Sequence, residues 1–389
     1  MTSRGLAVAL VTFATFTDIL AYSIAVPVLP HLSHQFGASP TLIGLLFASF
    51  GVTVLAVSIP MGAISDRTGR RLPLVGGLIA LAGSTVLFAF APRMTWLFAA
   101  RLVQGAADAV TWVVGFALVA DLYSAQERGR VMGLVMAGST FGFLIGPTLG
   151  GWLYERAGAR MPYLVVAGFS IVAAAGFASI RLPRGIGARE AIPIGTIVRV
   201  RAVAVCAACV IVGGGTIAMM EPVLSLFLSS AISLGPARIG LVFGAGAIVA
   251  TVLHPVFGRV ADRVGGRRLT LGGLAAIGVV MPLCTRISSF ESGVGIYVVS
   301  ALAIATFVTP SLTYMAEATS EAGSQSFGVA YGLYNFAWSI GLLIGPSLGG
   351  FLYERIGFTA LCLGWSGAVI AAAVILSRFS KEAPAAMRA

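Results

Sequence analysis

Twelve apolar runs, each long enough to cross a bilayer, follow one another through this 389-residue chain with only short polar breaks. They fall at about 6–30, 41–63, 73–91, 96–121, 129–153, 162–180, 203–228, 237–258, 269–286, 293–316, 327–352 and 358–377. One pass takes roughly 20 apolar residues as helix, and backbone groups in lipid must be bonded internally. The sequence therefore predicts an all-α polytopic membrane protein. Hydrophobic residues make up 58% of the chain and charged residues 10%, against about 45–50% and 25% in soluble domains, which excludes an ordinary soluble enzyme. The formal charge of +11 is spread singly and in pairs between the runs, not clustered as a nucleic-acid face requires. With both termini on one side, 18 of the 25 Lys and Arg fall on that face, and only Arg93, Arg156, Arg160, Arg238, Arg286 and Arg355 on the other. The positive-inside rule then places both termini in the cytoplasm. The first run is too long for a signal peptide and contains Asp18, so it reads as a span. The cysteines, all in apolar runs, suggest neither disulfides nor a metal site.

Residues 144–158, LIGPTLGGWLYERAG, return at 343–357 as LIGPSLGGFLYERIG, with 12 of 15 positions matched. The loop element Gly62-x-x-x-Asp66-Arg67-x-Gly69-Arg70-Arg71 returns from Gly258 to Arg268 with Asp262 and Arg263 in the same places. The chain thus reads as two six-helix halves in parallel orientation, residues 1–181 and 202–389, joined by a cytoplasmic segment at 182–201. Two such halves about a central site suit alternating access. The glycines and proline of span 5, Gly133, Gly142, Gly146, Pro147, Gly150 and Gly151, recur in span 11 as Gly332, Gly341, Gly345, Pro346, Gly349 and Gly350. Glycines four apart make a bare stripe for close helix approach, and proline bends a helix. At Asp66, Arg67 and Arg70, and again at Asp262 and Arg263, two readings stand: charges that only fix orientation, or a latch that breaks as the halves rock. The recurrence favours the latch, with Asp66 facing a helix N-terminus.

These motifs, together with Arg101-x-x-Gln104-Gly105 in span 4, resemble the drug/proton antiporter branch of the major facilitator superfamily over the whole chain. Phe16-Thr17-Asp18-Ile19-Leu20 and Ile217-Ala218-Met219-Met220-Glu221-Pro222 are similar to spans 1 and 7 of vesicular monoamine transporters. That resemblance implies a twelve-helix fold and assigns amine and proton handling to Asp18 and Glu221. It also implies proton coupling for Arg101. The lysine and aspartate that those transporters pair in spans 2 and 11 are here Phe50 and Asn335, and only Ala305 or its neighbours stand opposite their span 10 aspartate. Asp108 is an acid the family pattern lacks. A short first external loop, 31–40, fits a prokaryotic relative in the cell membrane.

Asp18 lies near the bilayer centre, where a charge costs about 2.5–3.5 kcal/mol even on a lenient scale, so it must face the bundle interior, pair, or take up a proton. Exchange of that proton for an organic cation is antiport in its simplest form. Glu221 either carries a proton or simply bonds polar groups beside Pro222. Arg101 and Asp108 are seven residues apart on one helical face, about 10 Å along the axis, and each needs a partner from another helix. Tyr22, Phe47, Tyr334 and Trp338 are candidates for an aromatic wall around an ammonium, with Asn335 beside them. His31, His34 and His254 read as interfacial. The expected function is proton-coupled export of aromatic monoamines or lipophilic cations, by a monomer without cofactor or metal, driven by the proton gradient. The alternative is export of neutral drugs or sugars with the acids serving protons alone.

Overall fold

The computed structural model describes residues 3–180, 197, 199–322 and 327–379, so the joining segment expected at 182–201 lies almost wholly outside them. Among the described residues all regular structure is helical. The first pass is α1 (Ser3–Ser23) and α2 (Leu29–Phe36), separated by a 3₁₀ turn at Val26–Val28. Then come α3 (Pro40–Thr68), α4 (Arg71–Ala89), α5 (Met94–Leu122), α6 (Ala125–Ala157) and α7 (Met161–Ser179). The second half holds α8 (Arg201–Ser230), α9 (Pro236–Val264), α10 (Gly266–Val280, extended by a 3₁₀ turn at Met281–Arg286) and α11 (Phe290–Glu321). A last stretch, Phe327–Phe379, leaves helical geometry only at Gly357, φ 76°. Its 53 residues would reach about 80 Å, more than twice a hydrocarbon core of about 30 Å. It therefore makes two passes, α12 (327–356) and α13 (358–379), for twelve in all.

Two expected loops prove shorter. Spans 11 and 12 are separated by a single left-handed glycine, and Gly158, φ 88°, makes the corresponding turn after α6. The expected loop at 31–40 is helical to Phe36, leaving residues 37–39 as the link. Pro27 and Pro30 account for the break within span 1. Pro30 has no N–H for the carbonyl of Val26, and Ser225 Oγ, from the other half, donates to that oxygen instead at 2.7 Å.

The halves repeat each other's packing: α1 lies on α6 as α8 lies on α12, and α3 lies on α5 as α9 lies on α11. The glycine motifs make the first pair of contacts. A Cβ on Gly142 or Gly146 would overlap Phe16, Leu20 or Ser23 of α1, and one on Gly341 or Gly345 would overlap Gly215 of α8. Gly133 and Gly332, although part of the same motif, face open space. Large apolar side chains such as Leu72, Ile79, Val252 and Val279 are the exposed ones, as a lipid-facing surface requires.

Between the halves, α3 meets α12 and α6 meets α9, closest at the end opposite the termini. There Gly350 adjoins Pro40 and Gly44, while Gly151 adjoins Pro236. The repeated Tyr-Glu-Arg segments complete both seams. Glu354 Oε2 accepts from the Thr41 amide at 3.0 Å, and Glu155 Oε1 from the Ala237 amide at 2.9 Å. Each carboxylate thus meets the positive first turn of a helix in the other half.

In this conformation the repeated loop charges bond within each half. Asp66 meets Arg70 at 2.5 Å and not a helix N-terminus, and Arg70 also donates to Asp121 at 2.8 Å and Ser65 at 2.6 Å. Arg71 donates to the carbonyls of Phe177 and Ala178. In the second half, Glu317 accepts from the Gly266 amide at 3.1 Å. Asp121 and Glu317, at the ends of the spans that pack on these corners, draw the corners inward, so these bonds brace each half internally.

Replacing Glu155 and Glu354 together by glutamine should loosen the closed end. Spin labels at the exposed positions Arg156 and Arg238, which flank one seam, should gain a longer-distance population in the double variant. An unchanged distance distribution would reduce both carboxylates to ordinary helix caps.

Candidate functional site

The site begins with the close approach of α3 to α5. A Cβ at Gly105 would collide with the Phe50 carbonyl and Thr53 Oγ1, so only glycine lets the helices meet there. One turn earlier on each helix, that approach brings Phe47 under the guanidinium of Arg101, 4.1 Å from ring centroid to Cζ. Tyr22 and Phe88 flank the same cation at 5.5 and 5.4 Å. Arg101 is fully buried, and its Nη1 donates to Gln104 at 3.0 Å. Its Nε and Nη2 have no acceptor among the described residues. Aromatic faces stabilise a desolvated guanidinium, which explains how the helix tolerates it.

Glu221 supplies the balancing charge. It lies on α8 one residue before Pro222, is 4% exposed, and accepts from the Tyr22 hydroxyl at 2.5 Å. Arg101 lies close enough to Glu221 for direct electrostatic attraction. Tyr22 therefore joins the halves through the acid, and Glu221, Tyr22 and Arg101 form a group with no net charge when the acid is ionised.

The other acids lie deeper. Asp18, on the pass that runs from Ser3 to Phe36, is 2% exposed, and its Oδ2 accepts from Trp112 Nε1 at 3.0 Å. Its Oδ1 has no donor among the described residues. Asp108 of α5 lies within hydrogen-bonding reach of both Asp18 and Trp112. Two carboxyls one helix apart, with no adjacent base, form the most acidic point of the interior. Beyond them Trp112 stacks on Phe116 at 5.6 Å, and Phe116 on Tyr331 of α12 at 4.6 Å. That stack crosses between the halves on the side of Asp18 nearer the termini, so the acids are covered from both ends.

The structure thus brings together Asp18, Tyr22, Phe47, Arg101, Asp108 and Glu221. Trp338 and Tyr334 stand apart: they stack on each other at 5.9 Å and pack on Gly214 and Ser311 within the second half. Asn335 lies between them on α12, its carbonyl accepting from Ser339 at 2.8 Å. Phe47 and Tyr22 do form an aromatic wall, and the cation they hold is Arg101. Asp108 has the Asp18 carboxyl of α1 and Trp112 of its own helix as neighbours, and the hydrogen-bond partner of Arg101, Gln104, is on the same helix. His254 is tied to the neighbouring helix, its Nδ1 lying 2.9 Å from Thr309 Oγ1 of α11. Trp112, Phe116 and Tyr331 were not singled out from the sequence. Trp112 had one signal, its place one turn after Asp108.

The profile of the Major Facilitator Superfamily matches residues 11–220 and again 203–388. The chain belongs to that family of membrane transporters and is not an enzyme. It is 29% identical over 384 residues to the probable vesicular acetylcholine transporter-B of Danio rerio, covering 93% of this chain and 76% of the relative. It is 31% identical to the vesicular acetylcholine transporter of Rattus norvegicus and 28% to the chromaffin granule amine transporter of Homo sapiens. These matches cover 83% and 82% of this chain but only 62% and 61% of those longer proteins. In fold it is similar to an inward-facing, occupied bacterial homolog of the human lysosomal transporter Spinster, with TM-score 0.81, 15% identity and coverage of 97% and 96% of the two chains. The human organic anion transporter MFSD10 (TETRAN) has TM-score 0.69 at 20% identity, with 97% and 100% covered.

If Glu221 balances Arg101, removing one charge should destabilise the protein more than removing both. Arg101→Met and Glu221→Gln should each lower the thermal midpoint in detergent, and the double variant should recover part of the loss, with a coupling of about 1–3 kcal/mol. Simple additivity of the two losses would show that the charges do not compensate each other.

Proposed function

We propose that this chain is a proton-coupled antiporter that exports aromatic monoamines or lipophilic organic cations by alternating access. It would act in the cell membrane with both termini in the cytoplasm. The observation that carries the reading is Asp18: a carboxyl near the middle of a membrane pass, buried beside Trp112 and Asp108 of the same half, with one oxygen lacking a donor among the described residues. A charge at that depth is costly unless it is paired or neutralised, so Asp18 suits alternate occupancy by a proton and a cation. The relatives named for amines and acetylcholine support a cationic substrate. Glu221 bonds Tyr22 across the interface between the halves, which suits a proton carrier that must be neutral or paired when the empty protein reorients. The membrane potential would add about 2.3 kcal/mol per charge per 100 mV to the pH gradient.

Asp18→Asn keeps the shape and removes the countercharge, so binding of a labelled aromatic amine in detergent should weaken at least tenfold, a loss of about 1.4 kcal/mol or more. In the wild type the same affinity should rise with pH, because only the deprotonated carboxyl can take the cation. Near-native, pH-independent affinity in the variant would instead favour neutral drugs or sugars as substrates. Glu221→Gln should impair uptake driven by a pH gradient in liposomes far more than substrate exchange. Equal loss of both would place Glu221 in substrate binding or folding.

A further inference from the structure

The interior charges divide into two unlike groups. Around Arg101 the attraction of Glu221 and the faces of Phe47, Tyr22 and Phe88 balance the cation. Around Asp18 there is no such balance. Its neighbours are Asp108 and the Trp112 indole, and the other ionisable groups that feel the pair are the phenols of Tyr22 on α1 and Tyr331 on α12. The α6 helix, packed along α1, carries its ionisable side chains only at its ends. Two carboxylates in contact away from water repel strongly, and such pairs hold a single proton between them. The open Oδ1 of Asp18 and the neighbouring Asp108 carboxyl can bond only when one of them carries that proton.

We propose that Asp18 and Asp108 act as one carboxyl pair, closed by the Trp112 N–H, that exchanges its shared proton for an ammonium bearing at least two N–H donors and discriminates against quaternary ammonium. Charge balances in this exchange. A carboxylic acid and a carboxylate together carry one negative charge, and so do two carboxylates bridged by one ammonium, with the proton released to solvent. A primary or secondary ammonium can donate to both carboxyls at once. A quaternary ammonium donates to neither, and instead needs open aromatic faces. The rings nearest the acids already have partners: Phe47, Tyr22 and Phe88 hold Arg101, and Trp112, Phe116 and Tyr331 stack on one another. The inference rests on the antiport reading for its substrate and on the Asp18–Asp108 geometry for its chemistry.

The experiment uses one aryl-ethyl framework carrying a primary, secondary, tertiary or quaternary ammonium, measured as equilibrium binding to the full-length protein in detergent. Wild-type affinity should fall at least tenfold from the primary to the quaternary member. Binding of the primary amine in weakly buffered solution should release about one proton per protein. In Asp108→Asn the series should flatten and the proton release should largely vanish. A flat wild-type series, or a variant that still discriminates, overturns the proposal. Infrared difference spectroscopy of the empty protein gives a readout that needs no substrate: a protonated-carboxyl band present in wild type should shift or vanish in both Asp18→Asn and Asp108→Asn. If neither variant alters the band, the pair does not exist. If the band behaves as expected while no amine binds, the pair stands and the cation-antiport reading fails.

Discussion

Everything in the interior depends on how closely backbones approach one another without side chains between them. Gly142 and Gly146 of α6 lie against α1, their counterparts Gly341 and Gly345 of α12 lie against α8, and Gly105 lets α3 reach α5. In lipid there is little hydrophobic gain in bringing two apolar helices together, so such contacts rely on dense packing of small residues. Their effect here is positional. They bring α1, α5 and α8 close enough for side chains as short as aspartate to meet, which longer spacing would leave unpaired in a medium that penalises isolated charge.

Within that frame the charges are sorted by depth. The ion pairs of Arg70 with Asp66 and Asp121 brace a corner of the first half, and the bond from the Gly266 amide to Glu317 braces the corresponding corner of the second. At the opposite end, Glu155 and Glu354 reach across to the other half through backbone amides. The unbalanced acids lie between these layers. A rigid half on each side and polar bonds at the seam are what rocking about a central site requires. The seam bonds are single and exposed, and can be broken one by one, whereas the glycine contacts within each half are extensive.

Much of this was legible in the sequence, and for identifiable reasons. The apolar runs located all twelve passes, because membrane thickness leaves little freedom in helix length. The duplicated segments disclosed the two halves, and the depth of Asp18 in its run marked it as a candidate. Other features depended on rotation of one helix against another, which no linear spacing encodes. Asp18 and Asp108 are 90 positions apart, and nothing in either segment shows that they face each other. Trp338 was a candidate for the aromatic wall yet packs within its own half, because Gly214 offers it a slot there. Glu155 and Glu354 were visible inside the repeat, but as part of a recurring string and not as residues with partners. The turns at Gly158 and Gly357 were read as longer loops because the Tyr-Glu-Arg residues ahead of each glycine end the apolar run several residues before the helix ends.

The indole of Trp112 has a property separate from its part in holding the carboxyl. Of the five tryptophans, Trp96 and Trp152 are about half exposed on the outer surface, and Trp365 bonds the Thr216 hydroxyl. Trp338 stacks on a phenol. Trp112 alone among them is bonded to a carboxylate oxygen, and indole emission responds to a charge placed or removed at its N–H. If Asp18 alternates between a proton and a cation as proposed, the light emitted by this one residue should change with it. Trp112 would then serve as a native optical probe at the centre of the transporter, reporting on Asp18 in real time without any label.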